Sequence, residues 1–148
     1  MEIPLIALIV AVIAGVAMAL QGSLNAALGK IIGTFEATLV VHVVGIAVIL
    51  AALYIFRLGT GNFALAKDAP WYTYLGGALG VLIIFGVVVS IARAGAANAT
   101  TAIITGQLIT ALVIDQCGLF GLERIPFTPW KGLGLTLLAV GAYLMLCR

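Results

Sequence analysis

The sequence predicts an all-α integral membrane protein with five transmembrane helices in a single domain, residues 1–148. Three observations carry that prediction. Hydrophobic residues make up 64% of the chain and charged residues 8%, whereas water-soluble domains carry about 25% charge. Five apolar runs, at about 3–24, 37–56, 71–92, 96–115 and 130–147, are of the roughly 18–20 residues needed to cross about 30 Å of hydrocarbon at about 1.5 Å per residue. The connections between them are too short for a soluble domain.

The first run begins with eighteen residues, 3–20, that lack any polar side chain. Ala17-Met18-Ala19 imitates a signal-peptide cleavage site, but Met1-Glu2 supplies no basic segment and four further spans follow, so an uncleaved first helix is expected. Ala7, Ala11, Gly15 and Ala19 fall four apart along it, as Gly76 and Gly80 do in the third span. Such stripes let helix backbones approach where lipid offers no hydrophobic drive.

After Leu20 the chain reads QGSLNAALGKIIGTFEA. Gln21 and Asn25 are four apart and share a helical face, continued toward the membrane centre by Ala14 and Met18. Two readings stand: the helix ends at Leu20 and both amides are solvated loop or cap groups, or it continues and they line a polar path. An amide in hydrocarbon without a partner costs several kcal/mol, so in the second reading the pair must face protein, water or substrate.

Thr34 is placed to cap the second helix, with Glu36 in its first turn, where the helix dipole favours an anion. His42, the sole histidine, sits about one and a half turns into this span. It can couple a proton to transport, or donate to a nearby carbonyl as a neutral structural group. Asp68 with Pro70 marks the start of the third helix, and Thr128 with Pro129 that of the fifth. Only RAGAA, 93–97, separates the third and fourth helices, which predicts a tight antiparallel hairpin.

The fourth span is the most polar, with Asn98, Thr100, Thr101, Thr105, Gln107 and Thr110. Threonine can return its hydroxyl to the carbonyl four residues back, whereas Gln107 has no such local escape in mid-span. Positions 100, 107, 111 and 115 share a face. Gln107 is therefore the first candidate for substrate contact, since polar groups inside membranes commonly mark pathways. Asp115 closes the span at the helix end that disfavours an anion, so it calls for a cation or donors such as Arg124 or Lys131, as a structural salt bridge or cap, with a gating or proton-binding role as the alternative.

Other chemistry is excluded. The net charge of +2 is scattered, so no nucleic-acid partner is expected. One His and two Cys cannot make a zinc site, no phosphate-binding loop or nucleophile triad is present, and neither cofactor, metal nor enzymatic activity is expected. Cys117 and Cys147 end successive spans on opposite membrane faces and cannot pair. A channel would show a ring of carbonyls or charges, and none is evident. A structural or accessory subunit, or a small channel, is the alternative to a transporter.

Orientation is weakly specified. Arg57, Lys67, Arg124 and Lys131 lie on the side of the N-terminus, and Lys30, Arg93 and Arg148 on the other, a bias of four against three under a rule that orients helices by Lys and Arg asymmetry. Trp71, Tyr72, Tyr74, Trp130 and Tyr54 crowd the first side, leaving chiefly Tyr143 and Phe35 opposite. Two chains inserted oppositely would complete both aromatic belts and give ten helices in the geometry of an inverted-repeat transporter.

The run Gln21-Gly22-x-x-Asn25, GGALG at 76–80, GAANAT at 95–100, GQL at 106–108 and DQCGLFGL at 115–122 together resemble the YdcZ-type five-helix family of the drug/metabolite transporter (DMT) superfamily, over residues 3–147. The resemblance implies a half-size secondary transporter in the bacterial inner (cytoplasmic) membrane, embedded in the lipid bilayer, whose relatives occur as single, paired or fused units. The expected partner is a second, antiparallel copy or a paired homologue, and the bundle an inverted-repeat assembly of ten helices. It also favours lining over loop for Gln21 and Asn25. The small multidrug resistance relatives carry a carboxylate deep in the first of four helices, and this first span has none, which argues against exchange of cationic drugs for protons. Gln107, Gln21, Asn25 and Asn98 are the substrate-binding candidates, and His42, Asp115 and Glu36 the proton-coupling or gating candidates. Amides and hydroxyls outnumber charges among them, so the expected substrate is a small polar or zwitterionic molecule.

Overall fold

A computed structural model describes residues 4–147. The start assigned to the first span at Ile3, the argument from Met1-Glu2, and Arg148 in the charge count lie outside the described residues. Five long helices account for most of the described residues, which contain no strand: α1 (Leu5–Ile32), α2 (Thr34–Leu50), α3 (Leu75–Ala94), α4 (Ala96–Cys117) and α5 (Pro129–Leu146). Each is long and apolar enough to cross a membrane, α2 with its following turn to Ile55 and α3 with its leading turn from Trp71.

The first span does not stop at residue 24. Ala26, Ala27 and Leu28 are strong helix formers with no breaker among them, so α1 continues for 28 residues, about 42 Å at about 1.5 Å per residue. It ends at Gly33, whose φ of 101° and ψ of 152° fall in a region open essentially to glycine alone. Lys30 stands in its last turn, where the dipole favours a cation.

Thr34 does not cap α2. Gly33 takes the N-cap position and Thr34 is already helical, its carbonyl accepting the Thr38 hydroxyl at 2.9 Å. Glu36 lies in the first turn as expected, with its carboxylate folded over Gly33 so closely that a Cβ there would collide with it. Gly33→Ala is therefore expected to destabilise the chain by about 1–3 kcal/mol, read as a lowered thermal midpoint in detergent.

Past Leu50, α2 widens into a π-turn, Ala51–Ile55, and the chain leaves through Arg57 at a positive φ of 52°. A short 3₁₀ turn, Phe63–Asp68, is capped by Asn62, whose side chain accepts the Ala64 N–H at 2.9 Å. Pro70, not Asp68, precedes the turn Trp71–Tyr74 that leads into α3; proline's fixed φ suits it to that place. Gly95 alone separates α3 from α4, with φ 83° and ψ 161°, the same glycine-only region. At the start of α5 the Thr128 cap is present, accepting the Lys131 N–H at 3.3 Å, with Pro129 first in the helix.

The chain forms two compact units, Met1–Arg93 and Ala94–Arg148. In the first, the core gathers around Val88 of α3, which is 1% exposed, with Gly22 and Ala26 of α1 and Ala37 and Thr38 of α2 also buried. A Cβ on Gly29 would sit 2.7 Å from Val88, and one on Gly22 2.8 Å from Ile91, so these two glycines let α3 approach α1. The stripe Ala7, Ala11, Gly15, Ala19 does not pack within the chain: every residue from 5 to 20 is exposed, and nothing stands within 4 Å of a Cβ at Gly15. Within the chain the Gly22, Ala26, Gly29 row takes that part, because the single-residue link at Gly33 holds α1 and α2 together at this end.

In the second unit α4 and α5 pack against each other, with Thr101, Thr105, Gly141 and Ala142 bordering a small cavity between them. Residues 118–128 fold back onto the end of α4. Gly118 is left-handed, the Ile125 N–H donates to the Asp115 carbonyl at 2.9 Å, the Phe127 N–H to Gln116 Oε1 at 2.6 Å, and Arg124 Nε to the Gln116 carbonyl at 2.8 Å. The bonds to Asp115 and to the Gln116 backbone satisfy carbonyls that the end of a helix leaves open.

Candidate functional site

Most hydroxyls inside the spans are spent on their own helices. Ser23 donates to Ala19, Ser90 to Gly86, Thr101 to Ala97, Thr105 to Thr101, Thr110 to Gly106 and Thr136 to Gly132, each to the carbonyl four residues back. Asn98 also bonds four residues back, Nδ2 donating to the Ala94 carbonyl at 3.1 Å, which ties this candidate, in the first turn of α4, to the last residue of α3. Three amides hold no hydrogen bond among the described residues: Gln21, Asn25 and Gln107.

Asn25 is the most telling of them. Only 7% of it is exposed, on the face of α1 that carries the close-approach positions Gly22 and Gly29. Gln21, one turn earlier, stands exposed. Both amides are helical, which removes the loop reading, and the shared face places one in the packed seam and the other at its edge.

Gln107 is exposed on α4 in a shallow groove of about 440 Å³, with Ile103, Gly106, Thr110 and Ile114 beside it. One helix forms the groove. Gly106 leaves its backbone open there, since nothing lies within 4 Å of a Cβ at that position.

His42 is half-buried, and its Nδ1 lies 2.7 Å from the Thr38 carbonyl oxygen. That oxygen can only accept, so Nδ1 carries the proton and Nε2 is left as an acceptor. Nε2 faces α3 at Gly80, 3.9 Å from where a Cβ would stand.

The remaining ionisable candidates have local duties. Glu36 lies over Gly33 at the head of α2. Asp115 is not the last residue of its helix, which runs two residues further to Cys117, and the cations expected beside it bond elsewhere: Arg124 to the Gln116 carbonyl, Lys131 to that of Pro126. Gln116 was not singled out by sequence reasoning, although it bonds the returning segment through both side chain and backbone. The available signal was an amide just before the left-handed Gly118. Cys117 and Cys147 are free and exposed. Among the described residues, no group of three His, Cys, Asp or Glu could hold a metal ion.

Residues 6–144 match the sequence model of the family described as "Putative inner membrane exporter, YdcZ". No curated protein matches the chain, and no solved structure does.

Proposed function

The chain belongs to the YdcZ family of inner-membrane exporters, and from that premise we propose that it is half of a secondary exporter, moving a small polar or zwitterionic molecule by alternating access as an antiparallel pair. Family membership supports a multi-pass membrane exporter, a role that implies transport in place of enzymatic chemistry. The observation that carries the finer reading is the unbonded amide of Asn25, which lies in the nearly closed seam of α1 yet keeps its polar atoms within reach of a small molecule, because a polar group in such a seam is favoured there only by a partner. Substrate is the partner assigned to it here.

The groove around Gln107 supports pairing. An amide on a helix face that met only lipid would be costly, so a second wall is required, and transporter sites lie where two inverted units meet near the midplane. Residues 5–29, 37–56, 71–92, 96–114 and 132–147 carry no Asp, Glu, Lys or Arg. The site therefore offers no fixed charge to select a strongly ionic substrate, while free amides supply both donors and acceptors.

Orientation tests the pairing. A single cysteine is placed at Gly61, in the 57–70 connection, after Cys117 and Cys147 are replaced by serine. An impermeant thiol reagent should label part of the population from each side of the membrane. Labelling from one side only, in a chain active without a homologue, would exclude the antiparallel pair.

A further inference from the structure

We propose that His42 carries the proton that drives export, so that protonation of Nε2 switches the packing of α2 against α3; this rests on the exporter reading and adds its energy source. The Thr38 carbonyl fixes which nitrogen holds the proton at rest. Nε2 thereby keeps a free lone pair, turned toward Gly80.

The surroundings make the two charge states incompatible with one packing. From Leu75 to Val89, α3 carries no polar side chain, and its backbone carbonyls there are engaged within the helix. A neutral Nε2 tolerates that surface. An imidazolium Nε2–H finds no acceptor side chain on it and has to move to water, substrate or another carbonyl. The step balances without a co-reactant: Nε2 takes a proton from water on one side and returns it on the other.

No other ionisable group in the first unit competes for the role. On α1, residues 5–29 have none, and on α3, residues 75–92 have none. On α2 the nearest are Glu36, six residues toward Gly33 and folded over it, and Tyr54, twelve residues on in the π-turn.

Because the chain has one histidine, ¹⁵N-histidine NMR of the whole protein in nanodiscs reads this imidazole without assignment. At pH 8 the Nδ1–H tautomer is expected, and on acidification the Nε2 resonance should report the gain of a proton there. Spin labels at the exposed positions Val44 and Leu82, with Cys117 and Cys147 replaced, should change separation over the same acidification by about 1–2 Å, the scale on which packed helices shift. His42→Gln, which keeps a neutral donor for Thr38, should abolish that change. The proposal is overturned if the imidazole stays neutral to pH 5, if it titrates with the label separation constant, or if the separation still changes in His42→Gln. The NMR titration needs no variant, and no solute enters either measurement, so failure here is separable from failure of the exporter reading.

Discussion

Asn25→Leu is expected to raise the stability of the substrate-free protein by about 1 kcal/mol, the gain from added apolar burial in the seam, while abolishing export. Leucine keeps the branched shape of asparagine and replaces its amide with methyl groups. The side chain is 7% exposed and unbonded among the described residues, so the fold loses no hydrogen bond, and apolar area is gained in a seam already lined by Val87, Val88 and Ile91. A structural amide would give the opposite result. If the thermal midpoint falls in Asn25→Leu, the group serves packing and the substrate role assigned to it fails. A rise in stability paired with loss of export is the signature of a residue kept for function at a cost to the fold.

Gln107→Leu should act on affinity instead. Its amide is exposed in the α4 groove, so removing it leaves the isolated chain nearly unchanged, but a substrate group bonded to it is then unpaired. The expected loss is about 1–3 kcal/mol of binding, or roughly 5–150-fold. Ligands for the measurement come from a thermal-shift screen of metabolites and antibiotics, since a molecule that binds only the folded state raises its stability by mass action. Affinity and pair stability are measured in one preparation. Weakened affinity with intact pairing supports the role in binding. Unchanged affinity with weakened pairing assigns the amide to the contact between helices.

The spans were legible because five apolar runs leave little else to place, and Gly33, Gly95 and Pro129 punctuate them. Local hydrogen-bond chemistry was also readable: the α4 hydroxyls of Thr101, Thr105 and Thr110 turn back on their own helix, and Gln107 does not. What escaped depends on distant contact. Nothing in Ala7, Ala11, Gly15 and Ala19 distinguishes an uncovered stripe from the packed row Gly22, Ala26, Gly29; the difference arises from the Gly33 link and the side chains of α3. Gln21 and Asn25 share a face, yet a 40° rotation between positions four apart is enough to bury one and expose the other. Thr34 failed as a cap for a local reason, because the glycine before it adopts a conformation threonine cannot and so takes the cap position. The cations expected at Asp115 go instead to carbonyls of the returning segment and the helix end, Arg124 to that of Gln116 and Lys131 to that of Pro126.

The central claim, that unbonded amides in α1 and α4 carry a solute across the membrane, is tested most directly by release from liposomes. Vesicles loaded with a defined mixture of neutral and zwitterionic metabolites receive the purified protein, an outward gradient is imposed, and the released fraction is identified by mass spectrometry. The account predicts release of one or a few solutes by the native chain and none above protein-free vesicles by the double variant Asn25→Leu, Gln107→Leu. Equal release by the double variant, or none by the native chain, would contradict it.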